Sequence, residues 1–426
     1  MIWQSRIIYI GLSLLVLFLP WQGTISVFLP DFFRFYKEII LLFLVFIAVK
    51  YWRRIPLKKE KIAEKTKNPL FWTGTFLCWT GIAWFLAGGG YYEGISARYL
   101  VMGFLFFSIL MMLFYEGLMP EKIQKNCGKI FIGSSVASVL FGLWAKYGGG
   151  FELLRDFYST TISSWVPGQT TPLYHLAGDF IRLQGGSSGP VEAAHLWMVA
   201  VMLLFLYSKI TNYKLRIMNL GLILMLLFGI WETASRGAML GLVIFLVGWG
   251  VVAQRERIFC AKKLFLSAGC LVIALGLWLA FFTSTGEKLW QRAGTSDHIT
   301  RPIEGIKIAL KNPIVGQIGT AGPAARAKNL AEKNDDKAFI AENVFIDWFI
   351  QLGMVGLAIG LGFFITLYRK IPRKEKALFW PLVITINFAT LFDMTPVSLV
   401  YMFVLFYLAI SREFSSAPPE GAYSRP

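Results

Sequence analysis

Charge is scarce in this chain. Asp, Glu, Lys and Arg make up 16% of its 426 residues, against about 25% in a soluble domain. A large water-facing surface is therefore excluded. Histidine occurs three times and cysteine four times. Cys78, Cys127, Cys260 and Cys270 fall in apolar segments or in the basic stretches beside them, so no disulfide framework is implied. Glu192 and His195 have the E-x-x-H spacing of carboxylate-bridged metal sites in helical bundles. Such a site needs further ligands from other helices, and the sequence offers no second copy; no metal is expected. Ten-residue segments of alternating hydrophobicity are also missing, which argues against a membrane β-barrel. No internal repeat at a fixed period is present.

Apolar residues, by contrast, make up 56% of the chain. Runs of about 18 or more recur, each long enough to cross a hydrocarbon core about 30 Å thick. The expected fold is an all-α polytopic membrane protein. Helices are placed near 7–28, 35–51, 70–88, 98–118, 129–147, 190–208, 216–233, 236–254, 264–284, 342–368, 377–393 and 396–411, about twelve in all. They form one membrane domain, 1–412, followed by a polar, proline-rich cytoplasmic tail, 413–426, expected to be disordered. The first run, IIYIGLSLLVLFLP, lacks a small-residue cleavage site after it and reads as a retained helix.

The net charge of +17 might suggest a nucleic-acid partner, but its distribution excludes one. Basic residues cluster in alternate connections: Lys50 to Lys67, Lys122 to Lys129, Lys209 to Arg216, Arg255 to Lys263, and Arg369 to Lys376. This is the positive-inside pattern. It puts both termini in the cytoplasm and the odd-numbered loops outside. Two external loops are long, about 148–189 and 285–341, and loops of that length are usually functional or disordered. In the second, Ile303, Ile306, Ile308 and Leu310 alternate with polar residues, which predicts a short amphipathic helix at the membrane surface. Pro302 suits its first turn.

Candidate chemistry lies on the external side. Arg236 sits inside the apolar stretch 217–253, in TASRGAMLG. The loop count places Ser235–Arg236–Gly237 in a tight external turn between two helices. An interface anchor or a partner for Glu232 one turn earlier would account for it. Arginines in such places more often face a watery interior and mark a functional path. Arg301 and Arg182, the latter just before a glycine-rich stretch, are further candidates for the same cavity. Guanidinium groups grip phosphate oxygens through paired hydrogen bonds and stay charged, so lipid headgroups and lipid pyrophosphates are the natural ligands. Glu342, with Asn343 beside it, opens a helix. A helix-start acid is favoured by the dipole. A carboxylate in a partly dry pocket can also take a proton from an attacking hydroxyl. His298, close to Arg301, is an accessory acid or base. GQIGTAG follows no strand and is no nucleotide fingerprint.

These stretches appear in a particular order: RLQGGSSGP, then SRGA, then RPIEGIKIALKNPIVGQIG, then ENVF followed seven residues later by GMVG. Over roughly 180–360 the chain resembles the O-antigen ligase and O-antigen polymerase superfamily of integral-membrane glycosyltransferases. The resemblance implies a GT-C-like fold and an inverting, metal-independent enzyme without cofactors. It would sit in a bacterial inner membrane, with its active site facing the periplasm or exterior. Its donor would be an undecaprenyl-pyrophosphate-linked glycan and its acceptor a hydroxyl of another glycan or lipid-linked sugar. By motif, Arg236 and Arg301 take the positions of two arginines that hold the pyrophosphate. Glu342 takes the position where ligases carry a basic histidine, and polymerase-like members often show E-N there. Arg182, His298 and Asn343 would bind substrate. A transporter or flippase of a lipid-linked or anionic substrate is the rival reading. Many transporters show matching halves with broken helices, whereas here the charged features crowd into the second half.

Preorganised cations stabilise the charge that develops on a leaving pyrophosphate, and removing one donor costs about 10²–10³ in rate. Arg236→Ala and Arg301→Ala are each expected to lose that much transfer activity while still inserting into membranes. EDTA is expected to have no effect. Normal turnover in both variants would remove the site assignment.

Overall fold

The computed structural model describes residues 2–29, 35–52, 66–150, 152–154, 175–177, 180–207, 213–255, 295–332, 339, 343–372, 376–387 and 395–416. Helices α1 (Ile2–Phe18) and α2 (Gln22–Phe28) are joined by a 3-10 turn, Leu19–Trp21, at Pro20. Then come α3 (Tyr36–Trp52), α4 (Pro69–Leu86), α5 (Tyr91–Tyr115) and α6 (Glu121–Tyr147). A small hairpin, β1 (His175–Ala177) and β2 (Phe180–Arg182), leads into α7 (Pro190–Tyr207), α8 (Tyr213–Glu232) and α9 (Arg236–Arg255). The second half holds α10 (Thr295–Ala309), α11 (Gly322–Ala331), α12 (Val344–Lys370), α13 (Lys376–Asn387) and α14 (Thr395–Ser416). The expected segment 264–284 lies outside the described residues; each of the others overlaps a helix.

Five of these stretches are long and apolar enough to cross a membrane: Trp3–Phe28, Tyr91–Tyr115, Glu121–Tyr147, Pro190–Tyr207 and Val344–Lys370. The outer surface suits lipid. Phe85 is 77% exposed and Phe46 69%, which in water would mark a sticky patch. Helix α7 is apolar on every side and correspondingly lies in the centre, packed by α6, α8, α9 and α14. Aromatic rings fill the space between α4, α5 and α12: Phe76 stacks on Phe104 at 4.2 Å, and Phe104 meets Phe363 at 5.1 Å.

Helix α12 departs from the single span expected over 342–368. Gly353 has φ 67° and ψ −170°, outside any helical region, and the chain folds back there. Phe345 and Phe364 have ring centroids 6.1 Å apart; nineteen residues of straight helix would separate them by about 28 Å. The half 344–352 therefore lies against the half 354–370.

Breaking a helix frees backbone groups that cannot stay unpaired away from water. Here the turn after α10 satisfies them. Met354 N–H donates to the Pro313 carbonyl at 2.8 Å, Val355 N–H to Ile314 at 3.4 Å, and Gln317 N–H to the Ile350 carbonyl at 2.9 Å. Trp79 Nε1 donates to the Leu352 carbonyl at 2.9 Å. The approach is so close that a Cβ on Gly353 would fall 2.2 Å from the Ile314 oxygen, and one on Gly316 2.4 Å from the Gly353 nitrogen.

The surface helix is also corrected. It begins at Thr295, so Pro302 lies inside α10 rather than in its first turn. Its Gly305, Ile308 and Ala309 side packs on α12, with Ala309, Ile350 and Ala321 forming a small core, while Ile303, Ile306 and Leu310 stay exposed.

Gly353→Ala and Gly316→Ala are expected to destabilise the protein by about 1–3 kcal/mol each from backbone strain alone, with the clash added. Gly221→Ala, where nothing lies within 4 Å, is the matched control. Unfolding temperatures in detergent check this.

Candidate functional site

Two groups of sequence-derived candidates end up on different elements, and a belt of polar contacts connects them. The first group surrounds the join between α8 and α9. Helix α8 ends at Glu232, and α9 begins at Arg236. The turn between them is Thr233–Ala234–Ser235, two residues earlier than expected, with Arg236 opening the next helix. Ala234 adopts φ 52°, a conformation uncommon for a residue with a Cβ. The Thr233 hydroxyl secures it by donating to the Ile230 carbonyl at 2.6 Å and accepting from Ser235 N–H at 3.1 Å. The side chain of Arg236 lies outside the described residues.

Arg182 is tied to that same turn. Its Nε donates to the Thr233 carbonyl at 2.7 Å, while Leu183 N–H donates to the Glu232 carbonyl at 2.9 Å. The Arg182 strand is thereby held against the turn that precedes Arg236. The glycine-rich stretch after Arg182 lies inside the bundle. Leu183, Gln184 and Ser187 are buried, and Gly185 (φ 56°) has its backbone within about 3 Å of where a Cβ on Gly142 would sit. Gly186 N–H is held by Ser138 Oγ at 3.1 Å, and the Gly186 carbonyl by Thr24 N–H at 3.0 Å. Side chains would not fit this crevice.

Glu232 is buried. Its carboxylate accepts from Lys146 Nζ at 2.5 Å and Tyr147 OH at 2.8 Å, both at the end of α6. The structure thus supplies described partners for Glu232 other than Arg236.

The second group surrounds the start of α12. Asn343 caps it, its Oδ1 accepting from Phe345 N–H at 2.9 Å and Ile346 N–H at 3.1 Å. Asn343 therefore has a structural duty as well as its expected binding one. Helix α10 runs parallel to the first half of α12. A Cβ on Gly305 would meet Ile346, Pro313 pairs with Met354 and Ile314 with Val355, an offset of 41 positions throughout. One helical turn before Gly305, the half-buried Arg301 stands level with the start of α12. His298 belongs to α10, but its side chain is outside the described residues. Glu342 is outside them too.

Between the two groups runs a series of buried polar contacts that sequence reasoning missed. Gln22, next to the crevice lined by Gly23, accepts a hydrogen bond from Lys37, which is 1% exposed. Its neighbour Glu38 forms an ion pair with Arg98 on α5. Two positions before Arg98, Ser96 Oγ donates to Gln351 Oε1. The Gln351 amide nitrogen donates to both oxygens of buried Asp347, at 2.8 and 2.9 Å, and its oxygen accepts from Gly319 N–H at 3.4 Å. Lys328 Nζ meets Glu93 Oε1 at 3.2 Å and joins α11 to α5. The available signal was charge inside otherwise apolar helices, Lys37 and Arg98 above all.

Arg182 and Arg301 beside a helix start and buried carboxylates offer the chemistry for an anionic ligand and for proton transfer. Residues 220–361 match the family model described as O-antigen ligase. The match agrees with the resemblance that the motifs carry, and the matched third of the chain contains Arg236, His298, Arg301, Glu342 and Asn343. A comparison with curated proteins found no match.

Arg182→Lys keeps the charge but removes the Nε–H bond to Thr233. It is expected to cost about 1 kcal/mol, at the low end for a charged donor because Arg182 is only half-buried. Unfolding in detergent measures it; no change would mean the strap carries no strain on the turn.

Proposed function

We propose that the chain is a membrane glycosyltransferase of the O-antigen ligase and polymerase type. In this reading it transfers an oligosaccharide from undecaprenyl pyrophosphate to an acceptor hydroxyl at the external face of a bacterial inner membrane. The observation that carries the reading is the family match over residues 220–361, which contains Arg236, Arg301 and Glu342. The Arg182 strand is strapped to the turn before Arg236, and Arg301 is level with the start of α12.

The roles follow from the chemistry. Arg236 and Arg301 hold the pyrophosphate, with Arg182 supporting the turn and adding positive charge. Glu342, covalently next to the capping Asn343, takes the proton from the acceptor hydroxyl; His298 is the alternative base. The hydroxyl oxygen then attacks the anomeric carbon as the bond from that carbon to the pyrophosphate oxygen breaks. A single displacement inverts the anomeric configuration. Undecaprenyl pyrophosphate departs with the bonding electrons, and the guanidinium groups stabilise the charge it gains. The reaction as written needs no metal and no cofactor.

The broken helix α12 is the feature that a transporter reading would use. Transport sites commonly present free half-helix ends to their substrate. At Gly353 the freed groups are taken by Pro313, Ile314 and Gln317, which favours the enzyme.

The experiment is a product assay with purified protein, an undecaprenyl-pyrophosphate-linked oligosaccharide and EDTA. Wild type is expected to yield longer lipid-linked chains if the acceptor is a second donor molecule, or a new conjugate when a lipid acceptor such as lipid A-core is supplied. Glu342→Gln is expected to lose at least about 10² of that rate. Donor recovered unchanged with every acceptor would contradict the reading.

A further inference from the structure

We infer that Glu232 is a positioning residue whose ion pair with Lys146 sets the Arg182 strand and the Arg236 turn in one ligand-ready arrangement. The inference rests on the glycosyl-transfer reading and adds the device that prepares its pyrophosphate site.

Glu232 makes contacts in two directions from one residue. Its carboxylate reaches α6, accepting from Lys146 and Tyr147. Its carbonyl reaches the strand, accepting from Leu183 N–H. The next residue, Thr233, receives Arg182. Only Thr233, Ala234 and Ser235 separate Glu232 from Arg236, and Ala234 is held in a left-handed conformation. A turn this short cannot absorb a shift of Glu232, so any movement passes to both arginine-bearing segments.

The pair itself is shielded. The side chains of Lys146 and Glu232 are each 9% exposed. A buried ion pair adds little stability beyond what packed apolar residues would give, but breaking one partner leaves an uncompensated charge. Such a pair therefore enforces geometry strictly. It also occupies the Lys146 ammonium, which distinguishes that lysine from a direct phosphate ligand. Tyr147 adds a neutral hydrogen bond to the same oxygen, and its ring lies 5.0 Å from the Lys146 nitrogen.

The test compares Lys146→Glu, Glu232→Lys, the double charge swap and Lys146→Arg. Two readouts are taken: hydrogen-exchange protection of the Leu183 amide without ligand, and KM and kcat with an undecaprenyl-pyrophosphate-linked oligosaccharide. Both charge-reversed single variants are expected to lose Leu183 protection. Their donor KM should rise about 10-fold or more, as misplaced binding groups commonly cost, with a smaller change in kcat. The double swap and Lys146→Arg are expected to restore both readouts. If the single reversals fail to insert, Lys146→Gln takes their place with the same expectation.

Normal protection and normal KM in the single variants would overturn the inference. So would a double swap that regains Leu183 protection but not KM, because Lys146 would then act on the ligand itself. Wild-type protein that makes no product would sink the glycosyl-transfer reading and the positioning role with it. Leu183 exchange would then report only a structural clasp.

Discussion

The architecture around the candidate site depends on one backbone interaction, the seating of the turn after α10 in the break of α12. At Gly353 the helix gives up its own ladder, and carbonyls of Pro313 and Ile314 take over the freed N–H groups. Two glycines in positive-φ conformations allow the main chains to approach that closely. The exchange locks α10 parallel to the first half of α12. It brings the helix that carries Arg301 alongside the helix that Asn343 caps. The motifs KNPIVG and GMVG are thus two sides of one joint.

From that joint a polar belt extends across the bundle. It passes through Asp347, Gln351 and Ser96, then Arg98 with Glu38, then Lys37 with Gln22, and reaches the glycine crevice. The crevice ends at the strand that carries Arg182 and at Glu232. Charges inside apolar helices are costly unless paired, and the residues of this belt are largely paired with one another across helices. The pairing fixes the positions of the helices relative to one another. Such an arrangement suits positional catalysis of group transfer, in which most of the work is holding reactants and stabilising a leaving group.

Much of this could be read from sequence, for a physical reason. Lipid demands continuous apolar runs, so the helices announce themselves. That a turn interrupts 217–253 is legible because two charges break an apolar stretch too long for one helix; its place is two residues earlier than Ser235–Arg236–Gly237. The fold-back of α12 is not legible, because hydropathy does not change at Gly353. Pro302 reads as a helix start because the first turns of α10 carry no periodic apolar signal. Lys146 and Arg98 went unread for another reason. Their partners, Glu232 and Glu38, lie 86 and 60 positions away, beyond any local pattern. Glu342, His298 and the side chain of Arg236 fall outside the described residues, so their roles rest on motif position.

The central claim is that Arg236 and Arg301, on separate elements, hold one pyrophosphate. A double-mutant cycle tests it most directly. Inorganic pyrophosphate binding would be measured for wild type, Arg236→Ala, Arg301→Ala and the double variant in detergent. The account predicts weakened binding in each single variant and a coupling of about 0.5–3 kcal/mol between them, as for residues that share one partner. Losses that simply add, or single variants that bind as wild type does, would contradict it.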